Sequence, residues 1–311
     1  MKTAIIGAGL IGSGWAIVFA RAGFEVALYD GVAGAAERAV ALIAQRLHDL
    51  EEHRLIADRA AILARIRVAA SLAEAVEKAG YIQENVFETV ETKRAIFREL
   101  DAVVGADTLI GSSSSGIPAS AFTGHVACRS RCLVAHPANP PYLIPIVELV
   151  PAPWTLPETV KRVRALMTDA GQEPIELTRE IQGFVLNRLQ SGLLAEAWQL
   201  VAEGIASVAD IDRTVSAGLG LRWSFMGPFE TIDLNAPGGV ADYAQRFGGL
   251  YREIRQSRGT AGDWNAELIA QVEAERRKAL PAEALGARAV WRDRRLMGLA
   301  REKHRAEREE G

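Results

Sequence analysis

The chain begins with a glycine-rich turn between an apolar segment and a helical pattern. Residues 4–6 are Ala-Ile-Ile, and residues 7–12 follow as a G-x-G-x-x-G motif. In such a turn the first glycine permits the tight bend, the second leaves room for a pyrophosphate, and the third lets the next helix pack against the strand. The amides that open this helix would face the phosphates. The motif predicts a dinucleotide-binding fold, with an ordinary Gly-rich turn as the alternative, and its expected cofactor contacts are Gly7, Gly9, Leu10, Ile11 and Gly12.

The residue that ends the second predicted strand indicates which dinucleotide is bound. Residues 24–30 form an apolar segment that closes with Asp30, about twenty residues after the glycines. A carboxylate at this position accepts hydrogen bonds from the ribose hydroxyls of adenosine, and it repels a 2′-phosphate. We therefore expect NAD rather than NADP as the cofactor.

Composition excludes several classes of protein. The 311 residues, 49% of them hydrophobic, suffice for two domains with their own cores. A net charge of −3 creates no field that would gather nucleic acid or anionic membrane, and no apolar run approaches the ~20 residues of a membrane span. Because the first residues already have a strand pattern, we expect no signal peptide. The close pair Cys128 and Cys132 is better read as buried apolar filler than as a disulfide or zinc site. We expect a cytoplasmic protein that takes a small-molecule substrate and no metal.

Strand and helix patterns alternate up to about residue 180 and then change. Residues 35–64 are typical of one long helix, and short apolar strands are expected at residues 67–69, 81–86, 108–111, 132–136, 144–150 and 173–177. From Gly183 onward only helical spacing remains. The fold class is therefore α/β, with an N-terminal Rossmann-type doubly wound sheet (1–180) followed by an all-helical C-terminal domain (181–311).

A histidine and a glutamate outside the nucleotide motif form a candidate catalytic pair. His136 ends a predicted strand, at the edge where open α/β sheets bind their ligands, and the prolines after it stiffen the loop. Glu148 lies in the apolar run 146–150, where a carboxylate is costly unless it is paired. If the two strands are neighbours, Glu148 can bind one imidazole nitrogen and leave the other for proton exchange with a substrate.

Two further polar residues have open interpretations. Ser115 ends the serine run 112–115 after a strand, so it is equally a substrate contact or a turn serine. Asn187 lies in the first turns of a long helix, where asparagine is a poor helix former. It binds either a substrate oxygen or a neighbouring helix.

These residues together resemble the L-3-hydroxyacyl-CoA dehydrogenase family. The similarity runs from about residue 3 to about residue 300, and it is closest to the lambda-crystallin branch of L-gulonate 3-dehydrogenases. Besides the nucleotide motif, Asp30 and the serine run, it rests on residues 135–142, 183–189, 218–223 with 227–228, and 291–293.

The resemblance implies a role for each matching position. Ser115 and Asn187 would bind the reacting oxygen of the substrate, His136 would take the hydroxyl proton, and Glu148 would orient His136. Glu88 and Lys93 match family positions that touch the cofactor, although a solvated helix face is a strong alternative without the resemblance. The family also implies a homodimer built through the helical domain.

Two sequence differences from the acyl-CoA members of the family narrow the range of expected substrates. Residues 44–54 mix charges of both signs and lack the lysine cluster expected for a CoA phosphate, and His136 is followed by Pro137 and Ala138 instead of aromatic residues. Arg222 is a candidate for binding a free carboxylate, with a structural salt bridge as the alternative. Glu230 and Asn235 could meet sugar hydroxyls. The expected substrate is a small 3-hydroxy acid, with L-gulonate first.

Other substrates and classes stay open at this point. L-carnitine is a second substrate, since Trp223 could hold a quaternary ammonium, and a 3-hydroxyacyl-CoA is a third. A crystallin-like or nucleotide-sensing protein without activity is the non-enzymatic alternative. Decarboxylating β-hydroxyacid dehydrogenases share the nucleotide motif, but they use a catalytic lysine that the helix beginning near Gly183 lacks.

Overall fold

The chain divides into two units of very different architecture. A computed structural model describes residues 1–257 and 264–310. The first unit comprises Met1–Arg188 together with the described residues from Val290 onward, and the second comprises the described part of Leu189–Ala289.

One eight-stranded sheet organises the first unit. Its strands are β1 (Lys2–Ile6), β2 (Glu25–Tyr29), β3 (Ile66–Val68), β4 (Tyr81–Glu84), β5 (Leu109–Ser112), β6 (Cys132–Pro137), β7 (Ile146–Pro151) and β8 (Glu173–Glu176), in the order β3-β2-β1-β4-β5-β6-β7-β8. Neighbouring strands are parallel except for β6 and β7. The carboxyl ends of β1, β2, β4, β5 and β6 therefore share one edge, where the predicted site residues follow.

Helices cover both faces of this sheet, which confirms the predicted fold class. They are α1 (Leu10–Arg21), α2 (Ala35–Glu52), α3 (Arg59–Leu63), α4 (Leu72–Val76), α5 (Val90–Asp101), α6 (Ser120–Thr123) and α7 (Pro157–Asp169). Because side chains alternate along a strand, Ile5 joins the apolar core with Trp15 on one face, while Ile6 joins the core with Phe97 on the other.

The single helix predicted over residues 35–64 is wrong. α2 ends at Glu52, and α3 begins only at Arg59. Between them Arg54 adopts a left-handed backbone with φ of 58°, which no helix can continue through. The Asp58 side chain then accepts a hydrogen bond from the Ala61 amide at 2.9 Å and caps the new helix.

The described part of the second unit is helical, as its apolar spacing predicts. It runs from α8 (Leu186–Ala202), whose first turn belongs to the first unit, through α9 (Val208–Thr214), a π-helical turn (Val215–Leu219), α10 (Gly220–Trp223), α11 (Pro228–Leu234), α12 (Gly239–Ser257) and α13 (Ala266–Ala279) to the start of α14 (Leu285–Glu310). Across residues 1–257 and 264–310, no helix combines the length and the apolar character needed to span a bilayer.

The C-terminal segment of α14 packs with the first unit. Met297 is only 1% exposed and belongs to the apolar core that contains Trp15. Nearby, the Tyr142 hydroxyl donates to Asp293 Oδ2 at 3.4 Å, and Arg294 Nη2 lies 3.6 Å from Asp49 Oδ1. The structure thus groups this segment with the nucleotide-binding unit, whereas the sequence pattern placed all of residues 181–311 in the second domain.

Candidate active site

Each of the three glycines in the opening turn is explained by a different steric constraint. Gly7 has φ of 93°, and a Cβ there would lie 2.6 Å from the Asn85 carbonyl oxygen. A Cβ on Gly12 would lie 1.9 Å from the Gly7 carbonyl oxygen, so only glycine allows α1 to pack this close. A Cβ on Gly9 would meet nothing within 4 Å. The second glycine therefore opens onto free space, as a pyrophosphate site requires.

Asp30 stabilises the same turn from the next strand. Its Oδ2 accepts a hydrogen bond from the Ala8 amide at 2.7 Å, and its Oδ1 accepts one from the Val32 amide at 2.8 Å. A cleft of about 350 Å³ opens beside it, walled by Gly9, Leu10 and residues of α2. The free space at Gly9, the start of α1 at Leu10 and Ile11, and the carboxylate of Asp30 fit NAD.

The antiparallel pairing of β6 and β7 places His136 directly opposite Glu148. His136 Nδ1 and Glu148 Oε2 are 2.7 Å apart, and both side chains are buried. Because an ionised carboxylate only accepts, Nδ1 is the donor. Within the part of the chain that the structure describes, Nε2 has no hydrogen-bond partner. A histidine held in this way presents its second nitrogen for proton transfer.

The other oxygen of Glu148 is bound by the start of α8. Oε1 accepts hydrogen bonds from the amides of Val185 at 2.7 Å and Leu186 at 2.9 Å. Burial raises the pKa of Glu148, but the His136 bond and these two amides outweigh burial and hold the pKa below its usual range. Sequence reasoning missed these amides because backbone donors leave no sequence pattern.

Ser115 and Asn187 meet, although not through the serine hydroxyl. Asn187 Nδ2 donates to the backbone carbonyl of Ser115 at 2.6 Å. Asn187 directly follows Leu186, whose amide binds Glu148, so one short segment contacts both the serine loop and the His136–Glu148 pair. A bond from either side chain to substrate stays a prediction.

Glu88 and Lys93 also lie together, in a network that the sequence did not reveal. Glu88 Oε1 accepts hydrogen bonds from Ser114 Oγ at 2.7 Å and from the Ser115 amide at 2.8 Å. Lys93 Nζ lies 3.3 Å from Glu88 Oε2 and 3.1 Å from Glu84 Oε1. Lys93 and Glu84 are 1% and 0% exposed, so Lys93 is a buried ion-pair partner and not part of a solvated helix face. Its predicted contact with the cofactor stays a prediction.

A second set of buried polar side chains ties the serine run to the strand of His136. Gln83 Nε2 donates to Ser113 Oγ at 2.7 Å and to the carbonyl of Ala135 at 3.1 Å. Trp15 Nε1 also donates to Ser113 Oγ, at 3.0 Å, and that hydroxyl donates to Asn85 Oδ1 at 2.7 Å. These contacts fix the backbone one residue before His136.

Arg222 lies on α10 in the second unit, and it is exposed. The hydroxyls of Tyr243 and Tyr251 in the same unit are 2.7 Å apart. This hydrogen bond raises the pKa of Tyr243, and the charge of Arg222 opposes the shift. Arg222 as a substrate contact stays a prediction, as do Glu230 and Asn235.

Cys128 and Cys132 are free and buried, with sulfur atoms 3.8 Å apart.

A Rossmann-type sheet with an NAD turn and a paired histidine at its carboxyl edge defines an NAD-dependent dehydrogenase. Residues 2–181 match the family profile "3-hydroxyacyl-CoA dehydrogenase, NAD binding domain", and residues 183–276 match "3-hydroxyacyl-CoA dehydrogenase, C-terminal domain". The chain belongs to the 3-hydroxyacyl-CoA dehydrogenase family, which confirms the resemblance and the NAD cofactor.

Individual proteins that are similar to this chain agree with this family. The chain is 42% identical over 307 residues to lambda-crystallin of Oryctolagus cuniculus, covering 96% of this chain and 94% of that one. It is 40% identical over 248 residues to L-carnitine dehydrogenase of Streptomyces griseus, covering 79% and 73%. Among solved structures, an NAD⁺-dependent 5-formyl-3-hydroxy-2-methylpyridine 4-carboxylic acid 5-dehydrogenase superposes with a TM-score of 0.84 at 28% identity, covering 96% of this chain and 97% of that one.

Proposed function

We propose that this protein oxidises the 3-hydroxyl of a small free hydroxy acid, with L-gulonate as substrate and 3-dehydro-L-gulonate as product. The observation that carries the proposal is the 2.7 Å bond between His136 Nδ1 and Glu148. It leaves Nε2 as the proton acceptor at the edge of the sheet where the NAD turn also lies. The choice of L-gulonate rests on the similarity to the lambda-crystallin branch.

In the proposed mechanism the protein handles the proton and the geometry. His136 Nε2 accepts the hydroxyl proton as the carbonyl forms, and Glu148 stabilises the resulting imidazolium by charge and by its bond to Nδ1. NAD, when bound, supplies the acceptor for the hydride that leaves the same carbon. Asn187 and Ser115 orient the reacting oxygen.

The contacts around the serine loop support this arrangement. The Glu88 carboxylate accepts a hydrogen bond from the backbone amide of Ser115, and the Asn187 side chain donates one to the backbone carbonyl of Ser115. Both bonds are made by the Ser115 backbone, and no described residue bonds its hydroxyl, which can therefore turn toward a substrate. Burial of Lys93 between two carboxylates fixes Glu88 in turn.

Initial rates of NADH formation with L-gulonate, L-carnitine and 3-hydroxybutyryl-CoA test the proposal. We expect the free acid L-gulonate to give the highest kcat/KM. A preference for the thioester would overturn the free-acid assignment. An absence of NADH with every hydroxy acid, combined with tight NADH binding, would instead favour a nucleotide-sensing or crystallin-like role.

L-carnitine is the second candidate substrate, favoured by the relative named L-carnitine dehydrogenase and by Trp223. Trp223 is partly exposed and follows Arg222 on α10, so this helix carries both an aromatic face for a trimethylammonium and a guanidinium for a carboxylate. Replacing Trp223 by Leu would lower kcat/KM for L-carnitine much more than for L-gulonate if this assignment holds.

We further propose that the protein is a homodimer associated through the second unit. The exposed side chains of this unit include many large apolar ones, among them Leu221, Phe225, Phe229 and Leu234. Apolar surface of this extent is typical of an obligate interface. Light scattering after gel filtration should give twice the mass of the chain, and replacing Phe229 by Asp should shift the species toward the monomer.

A further inference from the structure

The nucleotide cleft contains one cation that the sequence motifs do not mark. Most of the cleft wall is apolar, from Leu10 and Val32 at its mouth to Leu42 on α2. Of the residues that line it, only Asp30 and Arg38 carry charge. Arg38 lies in the first turns of α2, eight positions after Asp30.

Within the described residues, the guanidinium of Arg38 has no partner to hold it. No hydrogen bond or ion pair to this side chain exists within residues 1–257 and 264–310. The side chain instead folds back toward the start of α2, since a Cβ on Gly34 would lie 2.9 Å from Nη1. Gly34 has φ of 73°, a backbone conformation that favours glycine, and its missing side chain leaves the space that the guanidinium occupies. Both oxygens of Asp30 are meanwhile bound by backbone amides.

The surroundings of Arg38 suit a flat, neutral ring better than a phosphate. Leu10 and Val32, which line the cleft, are 62% and 65% exposed, so part of its apolar lining is open to a ligand. The pyrophosphate has its own place at Gly9 and the start of α1, and the ribose has Asp30. A planar guanidinium stacks on aromatic faces, which an ammonium does far less well. What remains of NAD beyond the ribose is adenine.

We propose that Arg38 is a cofactor-binding residue of this chain, whose guanidinium stacks on the adenine ring of NAD. Each part of the ADP half of NAD then meets a different residue. The pyrophosphate fits the open space at Gly9, the ribose forms hydrogen bonds with Asp30, and adenine stacks on Arg38. The inference depends on the NAD cofactor and not on the hydroxy acid proposed above.

Dissociation constants of NADH, AMP, adenosine and nicotinamide mononucleotide, measured by calorimetry and NADH fluorescence, test this inference without any substrate. For R38A we expect NADH, AMP and adenosine to bind about fivefold more weakly, which is the effect of a cation–π contact of roughly 1 kcal/mol. Nicotinamide mononucleotide should bind as it does to the wild type. R38K should recover only a small part of the loss, because it keeps the charge and loses the plane.

A matched control is Arg98 on α5, an exposed arginine outside the cleft. R98A should bind all four ligands normally. Unchanged NADH and AMP affinities in R38A would overturn the proposal. So would full recovery in R38K together with unchanged adenosine binding, since that pattern identifies a phosphate contact. The circular dichroism spectrum of R38A should match that of the wild type, which shows that weaker binding does not come from unfolding of α2.

Discussion

The carboxylate of Glu148 binds His136 Nδ1 on one side and two backbone amides on the other. The distance to Nδ1 is 2.7 Å, and the amides are those of Val185 and Leu186 at the start of α8. Glu148 therefore links the sheet to the helix that carries Asn187. Rotation of the imidazole would break a charge-assisted hydrogen bond inside the core, so its orientation is fixed before any substrate arrives.

Replacing His136 by Gln should lower kcat by about 10²–10⁴-fold, because the proton acceptor is lost. The NADH dissociation constant should stay within about twofold of the wild type, since the nucleotide turn is untouched. Stopped-flow turnover and NADH fluorescence measure the two quantities. A variant that keeps near-normal turnover would refute the assigned role.

Acid should remove the stability that Glu148 contributes. Its pKa in the folded protein lies below the ordinary value of 4.5. At pH values between the folded pKa and the ordinary pKa, the unfolded chain therefore binds more protons than the folded protein does. The contribution is present above about pH 4.5 and is lost as pH falls through the lowered folded value. Urea unfolding from pH 7 to 3 should show a constant free-energy difference between wild type and E148Q in the neutral range, which shrinks on acidification. A difference independent of pH down to 3 would contradict the assignment.

The buried pair of Lys93 and Glu84 predicts a non-additive double variant. K93M leaves the fully buried Glu84 carboxylate without its cation and should lower the free energy of unfolding by about 3–5 kcal/mol. Adding E84Q removes the orphaned charge, so K93M/E84Q should be more stable than K93M alone. Chemical denaturation of the four proteins in the cycle measures the coupling, and simple additivity would show that the pair is not coupled.

Substitutions at the third and second glycines of the opening turn, Gly12 and Gly9, should separate folding from cofactor binding. G12A introduces a Cβ 1.9 Å from the Gly7 carbonyl and should destabilise the fold. G9A introduces a Cβ into open space, so it should fold normally and bind NADH at least tenfold more weakly. Thermal unfolding and NADH titration distinguish the two effects. Normal NADH affinity in G9A would place the pyrophosphate elsewhere.

Truncating Met297 should destabilise the first unit, although it lies far along the chain. M297A should cost about 2–5 kcal/mol, the usual range for a buried methionine. Leu299 on the same helix is 46% exposed, and L299A is the matched control with an expected cost below about 1 kcal/mol. Equal costs for the two variants would argue that this segment of α14 does not stay packed on the first unit.

Local sequence patterns predicted the parts of the molecule that follow local rules. The glycine turn needs only backbone space, and Glu148 is conspicuous because an acid inside an apolar strand must find a partner. The same argument applies to Glu84 at the end of β4, but its partner Lys93 lies on a helix that looks amphipathic and solvated in sequence. The burial of Lys93 depends on tertiary packing against Phe122, which periodicity does not encode.

Contacts that depend on distant segments were out of reach for the same reason. The amides of Val185 and Leu186 carry no residue signature, and the position of Met297 is decided by a core assembled from residues early in the chain. The break between α2 and α3 was missed because alanine and leucine favour helix on both sides of it, while a single left-handed residue ends α2.

The return of α14 makes the second unit an insertion, covalently joined to the first at both of its ends. Residues before 189 and residues after 289 belong to one packed body. A protease cut anywhere in between would therefore yield two fragments that remain associated, because Met297 holds the short one in the core of the long one. Native gels would show an intact species where denaturing gels show two bands.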